Sequence, residues 1–272
     1  MSEIAQAVLL GLVQGLTEFL PVSSTAHLAL VPWLFGWQSP LLSSLTFDVA
    51  LHMGTLVAVL LYFWSDWLRL AAGLIDFARG HPNPGARVAG LVALGTIPAV
   101  VVGLMLQSLV ESTFRTPVQM AVVLVLFSMV MYAVERIAAR RRGLDALTTT
   151  DAAAIGCAQA VALVPGVSRS GATISTGLVL GLERAAAARF SFLLSTPVVA
   201  GAGLKKLYDL RGVAVGSGDA TLMLVGAVVA GVSGWLCIRW LLRYLARETM
   251  DAFVYYRLTL AAVVLVLWFV RG

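Results

Sequence analysis

Six apolar stretches of about twenty residues each limit what this chain can fold into, because that length matches the hydrocarbon core of a bilayer. Prolines, glycines or clusters of arginine separate the stretches, and neither kind of segment continues an apolar helix. The pattern therefore predicts six spanning helices, at 47–64, 88–107, 118–135, 186–204, 221–241 and 252–270.

The composition supports a membrane protein and excludes one that binds nucleic acid. Of the 272 residues, 60% are hydrophobic and only 12% are charged. The formal net charge is +5, but the arginines lie between the apolar stretches, as in membrane proteins. Cys157 and Cys237 lie in apolar segments, so we expect buried, unpaired thiols. Because Glu3 precedes the first apolar run, we expect that run to stay in the mature protein.

Two further apolar segments, 4–20 and 151–164, are too short to span and end in polar tips that contain proline. Irregular backbone persists at membrane depth only where protein or a water-filled cavity surrounds it. We therefore predict an all-α polytopic membrane protein, in which two re-entrant helical hairpins accompany the six spanning helices.

An ordered set of matches relates the two halves of the chain at offsets of 143 to 145 residues. The pairs are Gly11/Gly156, Gln14/Gln159, Pro21/Pro165, Ser24/Ser168, Phe47/Phe190, Leu51/Leu194 and Gly54/Pro197. They predict one membrane domain, 1–272, built from two repeats at 1–140 and 150–272. Each repeat holds one hairpin and three spans, so the second copy is inverted, and such repeats place a site near the membrane midplane.

The basic residues predict the orientation of the chain in the membrane. Twelve arginines fall on one side of the spans, and five basic residues fall on the other. The smaller group is Arg115, Lys205, Lys206, Arg211 and Arg271. The positive-inside rule makes the arginine-rich side cytoplasmic, so that both termini and the mouth of the first hairpin lie outside. The second hairpin then carries Arg169 into the membrane from the cytoplasmic side.

The tip of the first hairpin collects polar groups suited to chemistry. Gln14 and Glu18 are four residues apart and therefore share one helix face. After the break at Pro21, the chain presents Ser23, Ser24, Thr25 and His27. A carboxylate, a hydroxyl and an imidazole here suit either a nucleophile with its base or a metal with its ligands. The structural alternative is a serine that caps the next helix and a Glu18 paired with an arginine.

The second tip, 165–173, has the composition of an anion-binding loop. Flexible backbone and hydroxyl groups come from Gly166, Ser168, Ser170, Gly171 and Thr173. A helix starting near Thr173 points free N–H groups at a bound anion. Arg169 adds a planar charge that suits phosphate oxygens, unless it merely neutralises Glu18. The GxxxxGK[ST] sequence of a nucleotide P-loop does not occur.

The two tips together suit phosphoryl chemistry, in which positive groups hold the phosphate while an acid, a base and a nucleophile act on it. Oxygen ligands from Glu18 and Gln14 suit a divalent cation, Mg²⁺ or Ca²⁺. A phosphate site inside the membrane implies a substrate with a lipid tail. Asp48 and His52 either line the mouth of the cavity or act as a helix-start acid and a satisfied histidine.

The segment 14–27, QGLTEFLPVSSTAH, resembles the [E/Q]xxxE signature region of the undecaprenyl-diphosphate phosphatases of the bacitracin-resistance type. The segment 165–173 resembles the PGxSRSxxT motif of that family, and 47–64 is similar to the segment after its first motif. The resemblance covers essentially the whole chain. It implies an enzyme of the bacterial inner membrane that hydrolyses undecaprenyl diphosphate to undecaprenyl phosphate and inorganic phosphate. This reaction recycles the lipid carrier for cell-wall synthesis and lowers the target of bacitracin.

The resemblance also implies site residues. The two acidic positions of the signature fall on Gln14 and Glu18, and the catalytic serine, histidine and arginine fall on Ser24, His27 and Arg169. Many relatives carry glutamate where this chain has Gln14, so a metal held by two glutamates is in doubt here. Either Ser24 or His27 is the expected nucleophile. Substrate phosphate is expected to contact Ser23, Thr25, Gly166, Ser168, Ser170 and Thr173.

The expected partners are the polyprenyl diphosphate substrate and membrane lipids, and a homodimer is left open. A function of another class, a transporter or flippase for a lipid phosphate, also fits two opposed hairpins in an inverted repeat. A pure carrier needs cationic and hydrogen-bonding groups but no nucleophile, so the group of Glu18, Ser24 and His27 favours the enzyme.

Overall fold

The computed structural model describes residues 1–113, 116–209 and 216–271, which form eleven α-helices, a short 3₁₀ helix and no β-strand. The α-helices are α1 (Glu3–Thr17), α2 (Ser24–Phe35), α3 (Leu45–Tyr62), α4 (Trp64–Ala78), α5 (Pro84–Thr113), α6 (Pro117–Ile137), α7 (Thr149–Val161), α8 (Arg169–Val179), α9 (Arg184–Asp209), α10 (Ser217–Leu245) and α11 (Asp251–Arg271). Arg115 and Arg211, both used above to predict the orientation, lie outside the described residues.

Six of these helices are long and apolar enough to cross a membrane, namely α3, α5, α6, α9, α10 and α11. Each overlaps one predicted stretch, so the all-α membrane fold with six spans is confirmed. Capping residues fix several helix starts. The Ser44 hydroxyl accepts the Phe47 N–H at 3.2 Å where α3 begins. Thr116 and Gln119 form a reciprocal capping box at the start of α6, with Pro117 as its first residue.

Helix α4 is one that the hydropathy pattern does not predict, because charged residues interrupt its apolar side chains. Leu70 and Gly73 are buried, and Gly73 lies directly against the backbone of Gly85 at the start of α5. Large apolar side chains such as Leu68 and Phe77 are exposed on the outside of the helix. Such an amphipathic helix suits the membrane interface.

Two helix pairs, α1/α2 and α7/α8, carry the polar tips. Helix α1 packs along α10, and α7 packs along α5. Gly11 of α1 lies against the Gly226 carbonyl, whereas Gly156 of α7 lies against the Gly95 carbonyl, and a Cβ on either residue would overlap that oxygen. Because Gly11 and Gly156 are matched in sequence, both halves use the same close packing of small residues. Re-entrant insertion and an inverted repeat stay predictions.

The two cysteines differ in burial. Both are unpaired, as predicted, and Cys237 is buried. Cys157, in α7, is exposed, so the prediction of a buried thiol is wrong at this position.

Each helix pair breaks at a serine with positive φ. Ser23 precedes α2 with φ of 76°, and Ser168 precedes α8 with φ of 79°. Such backbone is strained for a residue with a side chain and is concentrated at functional sites. By this geometry Ser23 is the counterpart of Ser168, whereas sequence matching pairs Ser168 with Ser24. Ser23 and Ser168 are 145 residues apart, the same separation as that of Gly11 and Gly156.

Ion pairs fasten the arginine-rich end of the molecule. Arg142 bonds the Asp151 carboxylate at 2.6 Å and the Leu180 carbonyl at 2.8 Å, and so ties the starts and ends of the α7/α8 pair together. Glu135, at the end of α6, is 1% exposed at its side chain and pairs with Arg140 and Arg184. The Arg142 bonds thus hold α7 and α8 together, and the Glu135 pairs join the end of α6 to the start of α9.

Candidate active site

The two tips meet, although about 150 residues separate them in the sequence. Glu18 lies at the end of α1, and its Oε1 is paired with the guanidinium of Arg169, the first residue of α8. The Ser23 hydroxyl accepts the Gly166 N–H at 3.1 Å, and the Ser170 hydroxyl donates to the Leu20 carbonyl at 3.0 Å. Each tip therefore supplies hydrogen bonds that the backbone of the other requires.

Three side chains surround the second carboxylate oxygen of Glu18. The Ser24 hydroxyl donates to Oε2 at 2.7 Å, and the Gln14 amide donates to it at 3.1 Å. His52 Nε2 lies 3.4 Å from the same oxygen. The Glu18 side chain is only 5% exposed, so its charge depends on these contacts and on Arg169. This group, Gln14, Glu18, Ser24, His52 and Arg169, is called the carboxylate cluster below.

The carboxylate cluster opens into a cavity of about 620 Å³. The predicted site residues that line it are Glu18, Ser23, Ser24, Thr25, Ser168 and Arg169, and Asp48, His52, Gln159 and Lys205 add further polar groups. Apolar side chains, among them Leu28, Val198 and Val199, cover other parts of the wall. A wall of this mixed kind suits a ligand with a charged head and an apolar tail.

Some predicted phosphate ligands do not reach this cavity. The Thr173 hydroxyl bonds the Arg169 carbonyl at 2.8 Å and the Ser191 hydroxyl at 2.6 Å, both inside the protein. Gly166 and Ser170 are buried and lie behind the wall. Helix α8 begins at Arg169, earlier than the predicted start near Thr173, because Ser168 accepts the Gly171 N–H at 3.2 Å as a cap. The start of α8 therefore lies at the cavity.

His27 lies away from the carboxylate cluster, on the side of α2 that faces α11. Its Nδ1 lies 2.7 Å from the Ser23 carbonyl, and its Nε2 lies 2.7 Å from the Tyr256 hydroxyl. Because a carbonyl only accepts, Nδ1 is the donor and the neutral ring accepts from Tyr256 through Nε2. His27 is 4% exposed and does not line the cavity. This geometry supports a role in positioning Ser23, and the acid–base role of His27 stays a prediction.

His52 occupies the place beside Glu18 that the sequence suggests for His27. Its Nδ1 donates to the Asp48 carbonyl at 2.7 Å, one turn earlier in α3, and this bond orients the ring. The side chain is 27% exposed and faces the cavity. Of the two alternatives raised by its sequence position, the structure supports the one that lines the cavity.

Arg257, in α11, is the residue of this region that the motifs do not reveal. It is fully buried, and its guanidinium donates to the carbonyls of Pro21, Gly166 and Val167 in the two tips. It also bonds Leu124 and Ser128 of α6, and among the described residues it has no carboxylate partner. An arginine inside a predicted span is costly and therefore a candidate for function, which is the signal that could have found it.

The donor groups fit a divalent cation only if phosphate or water completes the ligand set. No group of three or more His, Cys, Asp or Glu side chains is placed to hold a metal within 1–113, 116–209 and 216–271. The buried Oε1 of Gln14 has no hydrogen-bond partner among these residues, and the neighbouring Glu18 is a carboxylate. Mg²⁺ typically binds one or two carboxylates and takes its other ligands from water and substrate phosphates.

Comparison with known proteins gives matches along nearly the whole chain. The family described as Bacitracin resistance protein BacA matches residues 7–263. A protein named undecaprenyl-diphosphatase from Desulforudis audaxviator is 47% identical over 98% of both chains. A protein of the same name from Thermodesulfovibrio yellowstonii is 43% identical over 100% of both chains. Another from Gemmatimonas aurantiaca is 47% identical over 95% of this chain and 96% of its own. The chain therefore belongs to the BacA bacitracin resistance family.

Proposed function

We propose that this protein hydrolyses undecaprenyl diphosphate to undecaprenyl phosphate and inorganic phosphate. The observation that carries the proposal is the hydrogen bond from Ser24 to Glu18, which lies beside Arg169 on the wall of one cavity. A hydroxyl, a base and a cation at this spacing supply what phosphoryl transfer needs. The relatives named undecaprenyl-diphosphatase support the choice of substrate.

Arg169 and the first turn of α8 bind the diphosphate in this proposal. A guanidinium carries five N–H donors, so its pairing with Glu18 leaves others for phosphate oxygens. The positive end of the α8 dipole adds to the attraction. The remaining predicted phosphate ligands divide by position. Ser23, Thr25 and Ser168 line the cavity, whereas Gly166, Ser170 and Thr173 support the tip from behind.

Ser24 is the better supported nucleophile. Its hydroxyl proton points to Glu18 Oε2, which leaves a lone pair of Oγ available to attack the terminal phosphorus. As the Oγ–P bond forms, Glu18 takes the proton, and the P–O bond to the lipid phosphate breaks. The departing lipid phosphate takes this proton from Glu18, which returns to the carboxylate form. Glu18 then accepts a proton from the water that attacks the phosphoserine, the Oγ–P bond breaks, and Ser24 Oγ regains the proton from Glu18 as inorganic phosphate leaves. His27 is less well placed to attack, because both of its ring nitrogens are engaged.

Gln14 holds the Glu18 carboxylate in place for this proton transfer, and His52 does so when its ring carries a proton on both nitrogens. Both contact Oε2, the oxygen that also accepts the Ser24 bond. We further propose that Glu18 and Gln14 Oε1 hold Mg²⁺ or Ca²⁺ together with the substrate. A divalent cation supplies positive charge that offsets the charge of the diphosphate. The site takes its residues from a single chain, so the mechanism does not require a homodimer.

We propose that the cavity opens to the outer face of the bacterial inner membrane. The start of α3 and the last turns of α9 line it, at the end of the molecule opposite the arginines of 136–142 and 184–189. The positive-inside rule places that arginine-rich end in the cytoplasm and both termini outside. Hydrolysis at the outer face would recycle the lipid carrier and remove the form that bacitracin sequesters, which would confer resistance.

Release of inorganic phosphate tests this function. Purified protein in detergent is incubated with a polyprenyl diphosphate and Mg²⁺, beside Glu18→Gln, Ser24→Ala and Arg169→Ala variants and a chelator-treated sample. We expect release by the wild type and loss of at least about 1,000-fold for each variant. If the folded wild type releases no phosphate with Mg²⁺ present, the proposal is wrong and the transporter alternative is favoured.

A further inference from the structure

One amide on the wall of the cavity has no hydrogen-bond partner among the described residues. Gln159, in α7, is 1% exposed, and neither its Oε1 nor its Nε2 is bonded. Buried polar groups are nearly always paired, because an unpaired one loses its bonds to water without replacement. An amide with both ends unpaired therefore points to a ligand that is absent from the free protein.

The position of Gln159 says where such a ligand lies. Gln159 lines the same cavity as Glu18, Ser24 and Arg169. It belongs to α7, the helix that leads into the tip of Arg169, so the amide and the guanidinium come from one helix pair. A ligand held by Arg169 is negatively charged and rich in acceptor oxygens, which is what an amide N–H requires.

The first half of the chain shows what a glutamine at this position does when it has a partner. Gln14 is the sequence match of Gln159, and in each half a glycine three residues earlier packs on the opposing span. Gln14 donates its Nε2 to Glu18, four residues later. The residue four positions after Gln159 is Leu163, whose side chain cannot accept a hydrogen bond. The donors of Gln159 are therefore free for the substrate.

We propose that Gln159 donates its amide N–H groups to phosphate oxygens of the bound diphosphate. The inference rests on the proposed function, because it takes the diphosphate as the ligand of the cavity. Gln159 then contributes to binding, and Glu18 and Ser24 contribute to the chemical step. A change at Gln159 should raise KM and leave kcat nearly unchanged, as expected when an interaction is equally strong in the ground state and the transition state.

The test replaces Gln159 with leucine, which has a similar volume and no polar group. We expect the KM for a short-chain polyprenyl diphosphate to rise about tenfold or more, the loss expected for one hydrogen bond to a charged group. The Tm should stay the same or rise, because an unpaired amide has been removed from the interior. An unchanged KM in a folded Gln159→Leu protein would overturn the inference. If the leucine variant does not fold, Gln159→Met makes the same measurement.

Ser175→Ala is the matched control. Ser175 is also buried with an unpartnered hydroxyl among the described residues, but it does not line the cavity. Its replacement should leave KM unchanged, and a rise equal to that of Gln159→Leu would mean that any buried change in this region alters KM and would remove the support for Gln159.

A binding measurement separates this inference from the proposed function. The Kd of a non-hydrolysable methylene-bridged polyprenyl diphosphonate is measured on the wild type and on Gln159→Leu. A tenfold weaker Kd in the variant supports the inference even if the wild type releases no phosphate, in which case only the proposed function fails. An equal Kd overturns the inference while leaving hydrolysis intact.

Discussion

Arg169 and Glu18 lie 151 positions apart in the sequence and form an ion pair where the two tips meet. Each side chain is more than three-quarters buried, and each is the charge that makes burial of the other tolerable. The pair is therefore both a structural link between the halves of the chain and the electrostatic centre of the proposed site.

Arg169→Met should abolish phosphate release and destabilise the protein. The variant leaves the Glu18 carboxylate without its cation, which costs up to about 3 kcal/mol for a largely buried pair. The double variant Glu18→Gln/Arg169→Met should recover most of the Tm and none of the activity, because it removes both charges together. Activity in the double variant would contradict the role of the pair in catalysis.

Ser24→Ala should lower kcat by at least about 1,000-fold with little change in Tm, since it removes the attacking oxygen and one part-buried hydrogen bond. Rapid acid quench of the wild type with labelled substrate should trap phosphate on Ser24. The control is Ser43→Ala, another serine on the cavity wall, which does not contact Glu18 and should retain activity. Trapped phosphate on His27 instead would favour His27 as nucleophile.

The two histidines should separate in their effects. His52→Asn should lower kcat with little loss of stability, because the ring is partly exposed and contacts the Glu18 carboxylate. His27→Asn should instead lower the free energy of unfolding by about 1–3 kcal/mol, because the Tyr256 hydroxyl and the Ser23 carbonyl lose a buried partner. Tyr256→Phe should reproduce part of the His27 effect. If His27→Asn abolished kcat at unchanged Tm, a direct catalytic role for His27 would be supported instead.

Arg257→Met should destabilise the protein by about 3 kcal/mol or more, because it leaves carbonyls in both tips without a donor. Arg257→Lys keeps the positive charge but has fewer N–H donors than the guanidinium, so its Tm should lie between those of Arg257→Met and the wild type. Thermal unfolding in detergent measures both variants. Equal Tm values for the wild type and Arg257→Met would show that the guanidinium does not hold the tips.

The stability of the arginine-rich end should depend on acid through Asp151. Arg142 and Asp151 lie outside the six candidate spans. Burial alone would raise the pKa of Asp151, but hydrogen bonds from Arg142 and Thr148 outweigh it and lower the pKa. A carboxyl group whose pKa is lower in the folded protein than in the unfolded chain stabilises the fold at pH values above the unfolded pKa, about 3.9. This stabilisation is lost as the pH falls through the folded pKa. The Tm difference between the wild type and Asp151→Asn should therefore shrink below about pH 4. A constant difference from pH 3 to pH 7 would contradict this.

The sequence predicts the six spans because apolar length is a strong signal in a membrane protein. It raises the pairing of Glu18 with Arg169 only as the alternative to a phosphate-binding arginine, since a charge inside a membrane is costly without a partner. It does not predict which histidine reaches Glu18. His27 is closer in sequence, but it follows Ser24 by three residues in α2 and faces α11, whereas His52 arrives on a separate helix.

Other features escape sequence reasoning for reasons of geometry. The positive φ of Ser23 and Ser168 is not revealed by residue type, because serine rarely adopts such backbone. Helix α4 is too polar on one face for a hydropathy window to detect. Arg257 lies outside every recognisable motif, and its partners are backbone carbonyls, which carry no sequence signature.

The hydrogen bonds from Arg257 to both tips also limit how the two halves of the site can move. Carriers that alternate between two membrane faces move one bundle against the other around their midplane site. Here the Arg257 guanidinium donates to the carbonyl of Pro21 in the first tip and to those of Gly166 and Val167 in the second. Separating the tips would therefore leave its buried positive charge without some of these hydrogen bonds. The architecture thus favours a reaction chamber whose two halves stay joined, and a motion that parts the tips would be costly.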